Sequence, residues 1–119
     1  MSNVSELASL LLSSRTQAHI FHLQTPSFAR HTALQNYYNR IVPLTNSYIE
    51  SYQGRTGRII KNIKPKNIHN DPEKTLKYFK KLRLNINSLN LPRNTELQNI
   101  LDEIRSLLDS TIYKIEFLH

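Results

Sequence analysis

Apolar residues recur at helical spacing in four segments of this 119-residue chain, and short polar or proline-containing stretches separate the segments. The clearest stripe runs through Leu76, Phe79, Leu82, Ile86 and Leu89, where each step is three or four residues. That spacing keeps the apolar side chains on one face of a helix and leaves the lysines on the others. The pattern therefore predicts an all-α fold with four helices, over residues 2–23, 26–53, 71–89 and 94–118.

The other three predicted helices carry apolar stripes of their own. In the first helix the stripe is Val4, Leu7, Leu11, Ala18 and Phe21. In the second it is Phe28, Leu34, Tyr38, Ile41, Leu44, Tyr48, Ile49 and Tyr52. In the fourth it is Leu97, Ile100, Leu101, Ile104, Leu107, Leu108, Ile112, Ile115 and Leu118. These positions are the predicted core, and we expect one domain spanning residues 1–119.

Proline, glycine and small polar residues set the predicted helix ends. Thr25, directly before a proline, is the expected N-cap of the second helix, and Gly54 is its expected left-handed C-cap. Asp71 should cap the third helix in the same way. Pro43 lies inside the second helix and removes one backbone hydrogen bond. The pattern allows either one helix kinked near residues 39–43 or a break into two helices.

The lengths of the connections predict how the helices are arranged. Short turns join the first helix to the second and the third to the fourth, so each pair should be antiparallel. Residues 54–70 show no period and are numerous enough to cross the bundle. A crossover of that length places the second and third helices parallel, which is the ferritin-like four-helix bundle. An up-down-up-down bundle with a loose loop is the alternative.

The positive charge of the chain is concentrated in one region. The net charge is +7, but residues 55–83 hold ten Lys or Arg and two acidic residues, a local balance of +8. The remainder therefore has six basic and seven acidic residues, a balance of −1. Such a one-signed region favours contact with a polyanion. The predicted nucleic-acid-binding residues are Arg55, Arg58, Lys61, Lys64, Lys66, Lys74, Lys77, Lys80 and Lys81.

Binding through this region would be directed at phosphates, salt-sensitive and independent of base sequence, because no recognition motif or array of stacking aromatic residues accompanies the charge. A solvated helix face is the plainer interpretation of the same lysines. No signal-peptide pattern and no run of about 18 apolar residues is present, so we expect a cytoplasmic protein with no membrane partner. Without a catalytic triad, a glycine-rich phosphate loop or a zinc motif, hydrolase and nucleotidyl-transfer activities have no support.

Three of the five histidines lie around the predicted turn between the first two helices. His19 and His22 share one face of the first helix. His19 lies six residues before Thr25 and His31 lies six after it. In an antiparallel pair their rings would lie at one level and could reach one metal ion. The plainer interpretation is two partly buried histidines that bond across the helix pair, with His22 capping the first helix.

Glu50 is the nearest acidic residue downstream, but it cannot join these histidines within one chain. The nineteen residues of helix between His31 and Glu50 span about 28 Å. Only a second subunit can bring Glu50 to His31, and two copies of the second helix packed antiparallel about a two-fold axis would do so twice. A solvated helix acid, or a partner of an arginine, is the plainer interpretation of Glu50.

The spacing of His19, His31, position 46 and Glu50 resembles the ferroxidase spacing of Dps-type miniferritins, a branch of the ferritin-like superfamily. The string AHIFHLQTPSFARHTALQNYYNRIVPLTNSYIESYQG, residues 18–54, is similar to small ferritin-like proteins of tailed phages. The resemblance implies a homo-oligomer built on two-fold dimers, in the cytoplasm of a phage-infected bacterium. It also implies iron or another divalent metal held by His19 and/or His22 with His31 from one chain and Glu50 from its mate.

Weak ferroxidase activity and non-specific DNA binding are further implications of this resemblance. Asn46 stands where the family has a bridging aspartate, and an asparagine cannot supply the negative charge that binds Fe²⁺. This substitution argues against full activity and leaves open whether the protein is an enzyme. The alternative function is a non-catalytic ferritin-like phage protein that binds nucleic acid or a protein partner through residues 55–83.

Overall fold

The computed structural model describes residues 3–119, and in that range the chain forms four α-helices and no strand, which confirms the predicted all-α bundle. The helices are α1 (Val4–Gln24), α2 (Phe28–Thr56), α3 (Thr75–Asn87) and α4 (Thr95–Phe117), with a 3₁₀ turn at Pro72–Lys74. They form a bundle measuring 45 × 25 × 22 Å. The predicted start of the first helix at Ser2 lies outside the described residues.

Both predicted caps of α2 are wrong by two or three residues. Ser27, not Thr25, is the N-cap, and its hydroxyl accepts a hydrogen bond from the Arg30 N–H at 3.2 Å. The left-handed C-cap is Gly57, with φ 71°, whereas Gly54 is helical. The extra turn of α2 carries Arg55 to an ion pair with α4, which helps to explain why the helix continues past Gly54.

The α2 helix runs unbroken across Pro43, which excludes the alternative of two helices. The predicted cap at Asp71 is confirmed, because its carboxylate accepts a hydrogen bond from the Glu73 N–H at 3.0 Å. That cap begins the 3₁₀ turn, and regular α-helix follows from Thr75.

Residues 57–71, which we call the crossover segment, run along α1 in the same direction as that helix. Lys64 lies beside Ser9, and His69 lies beside Gln17. The segment therefore returns the chain to the end of the bundle where α2 began, so α2 and α3 are parallel. This confirms the long crossover and excludes the up-down-up-down alternative.

At the opposite end of the bundle, Asn3, which directly precedes α1, bonds to the loop between α3 and α4. The Asn3 N–H donates to the Asn90 carbonyl at 2.9 Å, and the Asn90 N–H donates back to the Asn3 side-chain oxygen at 2.7 Å. This exchange joins the start of α1 to the loop between α3 and α4. In cross-section the helices follow one another in the order α1, α2, α4, α3.

One hydrophobic core joins all four helices, and most predicted core positions are buried in it. Phe28 and Leu118 are exceptions, with 81% and 41% of their surface exposed. Both lie at helix ends, Phe28 as the first residue of α2 and Leu118 as the C-cap of α4. Tyr37 lies outside the predicted stripe but is fully buried. No helix in residues 3–119 is long and apolar enough to cross a membrane.

Candidate functional site

His22 and His31 face each other across the α1–α2 turn with stacked rings. Their ring centroids are 3.6 Å apart and their planes are inclined by 23°. The Nδ1–H of His22 donates to the His31 carbonyl at 2.7 Å, and the Nδ1–H of His31 donates to the His22 carbonyl at 3.0 Å. Each ring is therefore fixed by the backbone of the other helix.

This exchange follows from the turn itself. A helical carbonyl normally accepts from the N–H four residues later, but four residues after His22 comes Pro26, which has no N–H. The His31 ring supplies the missing donor. Because a carbonyl oxygen only accepts, both Nδ1 atoms carry protons, and in the neutral rings each Nε2 keeps its lone pair. Metal-binding histidines commonly have this arrangement, with the second nitrogen bonded to a carbonyl.

The predicted partnership of His19 with His31 at one level is wrong, because His22 takes that place. The short turn puts the last turn of α1 against the first turn of α2, and these turns hold His22 and His31. His19 lies one helical turn earlier, is exposed, and stacks on Tyr38 at 4.6 Å between centroids. Its ring is 6.0 Å from that of His22. The three histidines thus form one cluster whose closest pair is His22 and His31.

Glu50 and Asn46 are exposed on the outer face of α2, away from this cluster. Glu50 makes no ion pair with any other described residue, so the interpretation as an arginine partner finds no support within the chain. Among residues 3–119, no three histidine or acidic side chains are arranged to hold a metal ion. Nineteen residues of the continuous α2 helix, about 28 Å, separate Glu50 from His31 within the chain.

Three polar residues on α1 hold the crossover segment in place. The Ser9 and Ser13 hydroxyls each accept a backbone N–H at 2.9 Å, from Lys64 and Lys66 respectively. Gln17 accepts the His69 N–H at 2.7 Å and donates to the His69 carbonyl at 2.8 Å. The segment has no regular secondary structure of its own, so these bonds, which we call the α1 clamp, replace the pairing that a strand would supply.

Sequence reasoning missed this clamp, although a signal was present. Ser9, Ser13 and Gln17 are spaced four residues apart and form a polar stripe along α1. Ser9 and Gln17 are buried, and a buried polar stripe requires a hydrogen-bonding partner. The crossover segment supplies it.

The predicted nucleic-acid-binding residues divide into paired and unpaired cations. Arg55 pairs with Glu96, Lys66 with Glu6, and Lys80 with Glu116, all at least partly exposed to solvent. Exposed ion pairs of this kind contribute about 0–1 kcal/mol and exchange partners readily. The cations that make no ion pair with another described residue are Arg58, Lys61, Lys64, Lys74, Lys77 and Lys81.

The crossover segment and α3 border one groove, with α1 on its other side. The groove has a volume of about 500 Å³. Lys66 of the crossover segment and Lys81 of α3 both line it. Lys77 lies one helical turn before Lys81 on α3, and Lys74, the last residue of the 3₁₀ turn, lies three residues before Lys77. We call this surface, composed of the crossover segment and the lysine row of α3, the basic face.

The chain belongs to the family of unknown function DUF5856, whose family model matches residues 22–115. That match covers α2, the crossover segment, α3 and nearly all of α4. Neither a curated protein nor a solved structure matches the chain.

Proposed function

We propose that this member of the DUF5856 family binds nucleic-acid phosphates through the basic face. The observation that carries the proposal is the position of Lys66 and Lys81 on one groove, because it joins two charged elements that are separate in the sequence. The lysines of the crossover segment alone, or those of α3 alone, would create only a weak local electric field. Together they form an extended surface with an excess of positive charge, which attracts a polyanion along its length.

The distribution of acidic residues supports binding through the basic face. Residues 95–117, which form α4, hold five acidic and two basic residues. In the cross-section α4 lies diagonally opposite α1, away from the α1 clamp. The molecule is therefore electrically asymmetric, and the asymmetry would turn the basic face toward the nucleic acid.

The test is the salt dependence of binding to DNA of unrelated sequences. The triple variant Lys64→Gln, Lys77→Gln, Lys81→Gln removes three cations from the basic face. A control triple, Arg15→Gln, Arg40→Gln, Lys114→Gln, removes the same charge from α1, α2 and α4 outside it. Each lysine that contacts a phosphate should contribute about one unit to the slope of log K against log salt. The first triple should lower that slope and the affinity, and the control should change them little. Equal losses in both triples would contradict the proposal.

We propose as a second function that two chains complete a divalent metal site, with the mate's Glu50 added to the histidine cluster. Two observations support it. The Nδ1 atoms of His22 and His31 both bond to carbonyls, which leaves the Nε2 atoms as the nitrogens for a metal, and the face of α2 that carries Asn46 and Glu50 is exposed. Iron is the metal that the ferritin-like resemblance suggests, and oxidation of Fe²⁺ would be weak without the aspartate at position 46.

Mixing two inactive variants tests this proposal directly. His31→Ala and Glu50→Gln should each abolish saturable Fe²⁺ binding, whereas Glu103→Gln, on α4, should not. In a mixed dimer one site combines an intact His31 with an intact Glu50. Random mixing should therefore restore about a quarter of the wild-type sites. No recovery on mixing, or wild-type binding in either single variant, would overturn the two-chain site.

A further inference from the structure

The groove between α1 and α3 has an aromatic wall as well as lysines. His69, from the crossover segment, and Tyr78, from α3, lie with ring centroids 6.1 Å apart and planes inclined by 65°. Both line the groove, beside Lys66 and Lys81. Residues 69 and 78 belong to separate elements, so only the fold brings these two aromatic rings and two cations together.

The backbone of His69 is fixed more firmly than any other part of the crossover segment. Gln17 bonds both its N–H and its carbonyl, and the Gln17 side chain is itself 1% exposed. The residue as a whole is nevertheless exposed. A ring held at its backbone and open on its surface loses little freedom when a planar group stacks on it.

Tyr78 is anchored from the opposite side. Its ring makes edge-to-face contacts with Phe21 at 5.9 Å and Phe79 at 5.2 Å, so most of it belongs to the core. Burial raises the pKa of the Tyr78 hydroxyl well above its usual range. The hydroxyl therefore stays neutral. It makes no hydrogen bond with another described residue. Leu10, Leu82 and Leu89 complete the apolar wall.

A concavity lined by three leucines, two aromatic rings, two lysines and several polar side chains fits a planar base attached to a phosphate. We propose that the groove receives an unpaired base of single-stranded nucleic acid, which stacks on His69 while Lys66 and Lys81 contact the adjoining phosphates. This inference rests on the proposed binding of nucleic acid by the basic face. It adds that the basic face prefers a single strand. Glu6 also lines the groove and pairs with Lys66 in an exposed ion pair, so Lys66 would exchange this carboxylate for a phosphate, whereas Lys81 makes no ion pair with another described residue.

Three physical considerations favour a single strand over a duplex. Proteins that bind single strands combine a cationic track along the backbone with aromatic rings on which bases stack. Here the row formed by Lys74, Lys77 and Lys81 supplies the track and ends at the groove. A duplex keeps its bases inside the stack, so none can enter a concavity unless it is flipped out. The groove also falls within the range of about 300–1,000 Å³ that is typical of sites for small planar ligands.

The test compares a labelled 20-nucleotide single strand with a duplex of the same sequence, by fluorescence anisotropy at several salt concentrations. We expect His69→Ala to weaken binding of the single strand at least about fivefold, since loss of one stacking ring has an effect of that size. Binding of the duplex should be unchanged. His69→Phe, which keeps a planar ring, should retain most of the single-strand affinity.

His119→Ala is the matched control, because it removes another exposed histidine from outside the groove. It should bind both probes as the wild type does, and the thermal unfolding of every variant should show that the fold is intact. Equal wild-type affinities for the two probes, or a His69→Ala variant that binds the single strand normally, would overturn the inference and leave the proposed function standing. If neither probe binds, the proposed function fails first and the inference fails with it.

Discussion

Tyr37 of α2 and Ser14 of α1 share a hydrogen bond inside the bundle, with 2.6 Å between their hydroxyl oxygens. The Ser14 hydroxyl donates to the Leu11 carbonyl at 2.7 Å, so the proton between the two hydroxyls belongs to Tyr37. Tyr48 is equally buried, but its hydroxyl has no hydrogen-bond partner among the described residues. Of these two buried tyrosines on α2, the Tyr37 hydroxyl is hydrogen-bonded and the Tyr48 hydroxyl is not.

This difference predicts opposite effects of the same substitution. Tyr37→Phe should lower the free energy of unfolding by about 1 kcal/mol, since a satisfied buried hydrogen bond is lost. Tyr48→Phe should leave it unchanged or raise it, because the hydroxyl removed is desolvated without compensation. Urea denaturation of the two variants beside the wild type measures both. Equal losses would mean that the Tyr48 hydroxyl has a partner in solution.

The buried tyrosines also predict alkaline unfolding. Burial raises the pKa of Tyr48 to about 12, with the nearby Tyr52 raising it further and Arg105 lowering it. Burial also raises the pKa values of Tyr37 and Tyr78, and by more. In the unfolded chain these hydroxyls ionise near pH 10. Above that pH the unfolded chain releases protons that the folded chain keeps. The contribution of these tyrosines to the free energy of unfolding is therefore fully present below pH 10 and is lost as the pH rises.

Each such tyrosine should contribute a fall of about 1.4 kcal/mol per pH unit within its window. For Tyr48 the window is pH 10 to 12. Urea midpoints measured from pH 8 to 12 should be flat at first and then decline. Tyr48→Phe should make the decline shallower by one tyrosine's contribution, whereas Tyr113→Phe, at an exposed position on α4, should not. A decline of equal steepness in both variants would contradict the assignment.

The α1 clamp predicts a local change in amide hydrogen exchange. Gln17→Ala removes both bonds to the His69 backbone, each with a net contribution of about 1 kcal/mol. The His69 amide should therefore exchange several-fold faster or more. The Lys64 amide, which Ser9 holds, should keep its protection. Thr16→Ala, an exposed neighbour, is the control and should alter neither amide. If hydrogen exchange became faster at all amides of the crossover segment together, the segment would be released as a unit and the predicted local change would be wrong.

The two glycines at the end of α2 predict substitutions of opposite sign. Gly57 has φ 71°, so Gly57→Ala should cost about 1 kcal/mol even though nothing lies within 4 Å of the added methyl group. Gly54 is inside the helix with equally open surroundings. Gly54→Ala should therefore stabilise the protein by about 0.5–1 kcal/mol. Thermal unfolding of both variants checks the C-cap, and a stabilising Gly57→Ala would contradict it.

Sequence patterns were sufficient for the helices and the crossover because both depend on local composition. The stripe through Phe79, Leu82 and Ile86 is compatible only with a helix. A long connection without periodicity has few possible paths across a bundle. Helix ends were harder, because Thr25 and Ser27 are equally good caps by residue type. Tertiary contacts decide between them.

The site was less predictable because it depends on pairs that are remote in the sequence. Nothing near His69 indicates Gln17, which is 52 residues earlier. Nothing near His22 in the sequence specifies that its ring stacks on the ring of His31. The neutralising partners of Arg55 and Lys80 lie on α4, 41 and 36 residues away. Charge counts therefore located the basic region but could not separate its paired from its unpaired cations.

The parallel course of α2 and α3 makes the length of the crossover segment a determinant of topology. Its fifteen residues can reach about 50 Å, while α1, beside which it runs, is about 30 Å long. The segment would therefore still span the bundle with a few residues fewer, and the topology would be kept. A link as short as the turn between α1 and α2 would instead force the third helix to run antiparallel to the second. The hairpin of α3 and α4 would then dock upside down, and the groove with its lysines and aromatic rings would cease to exist.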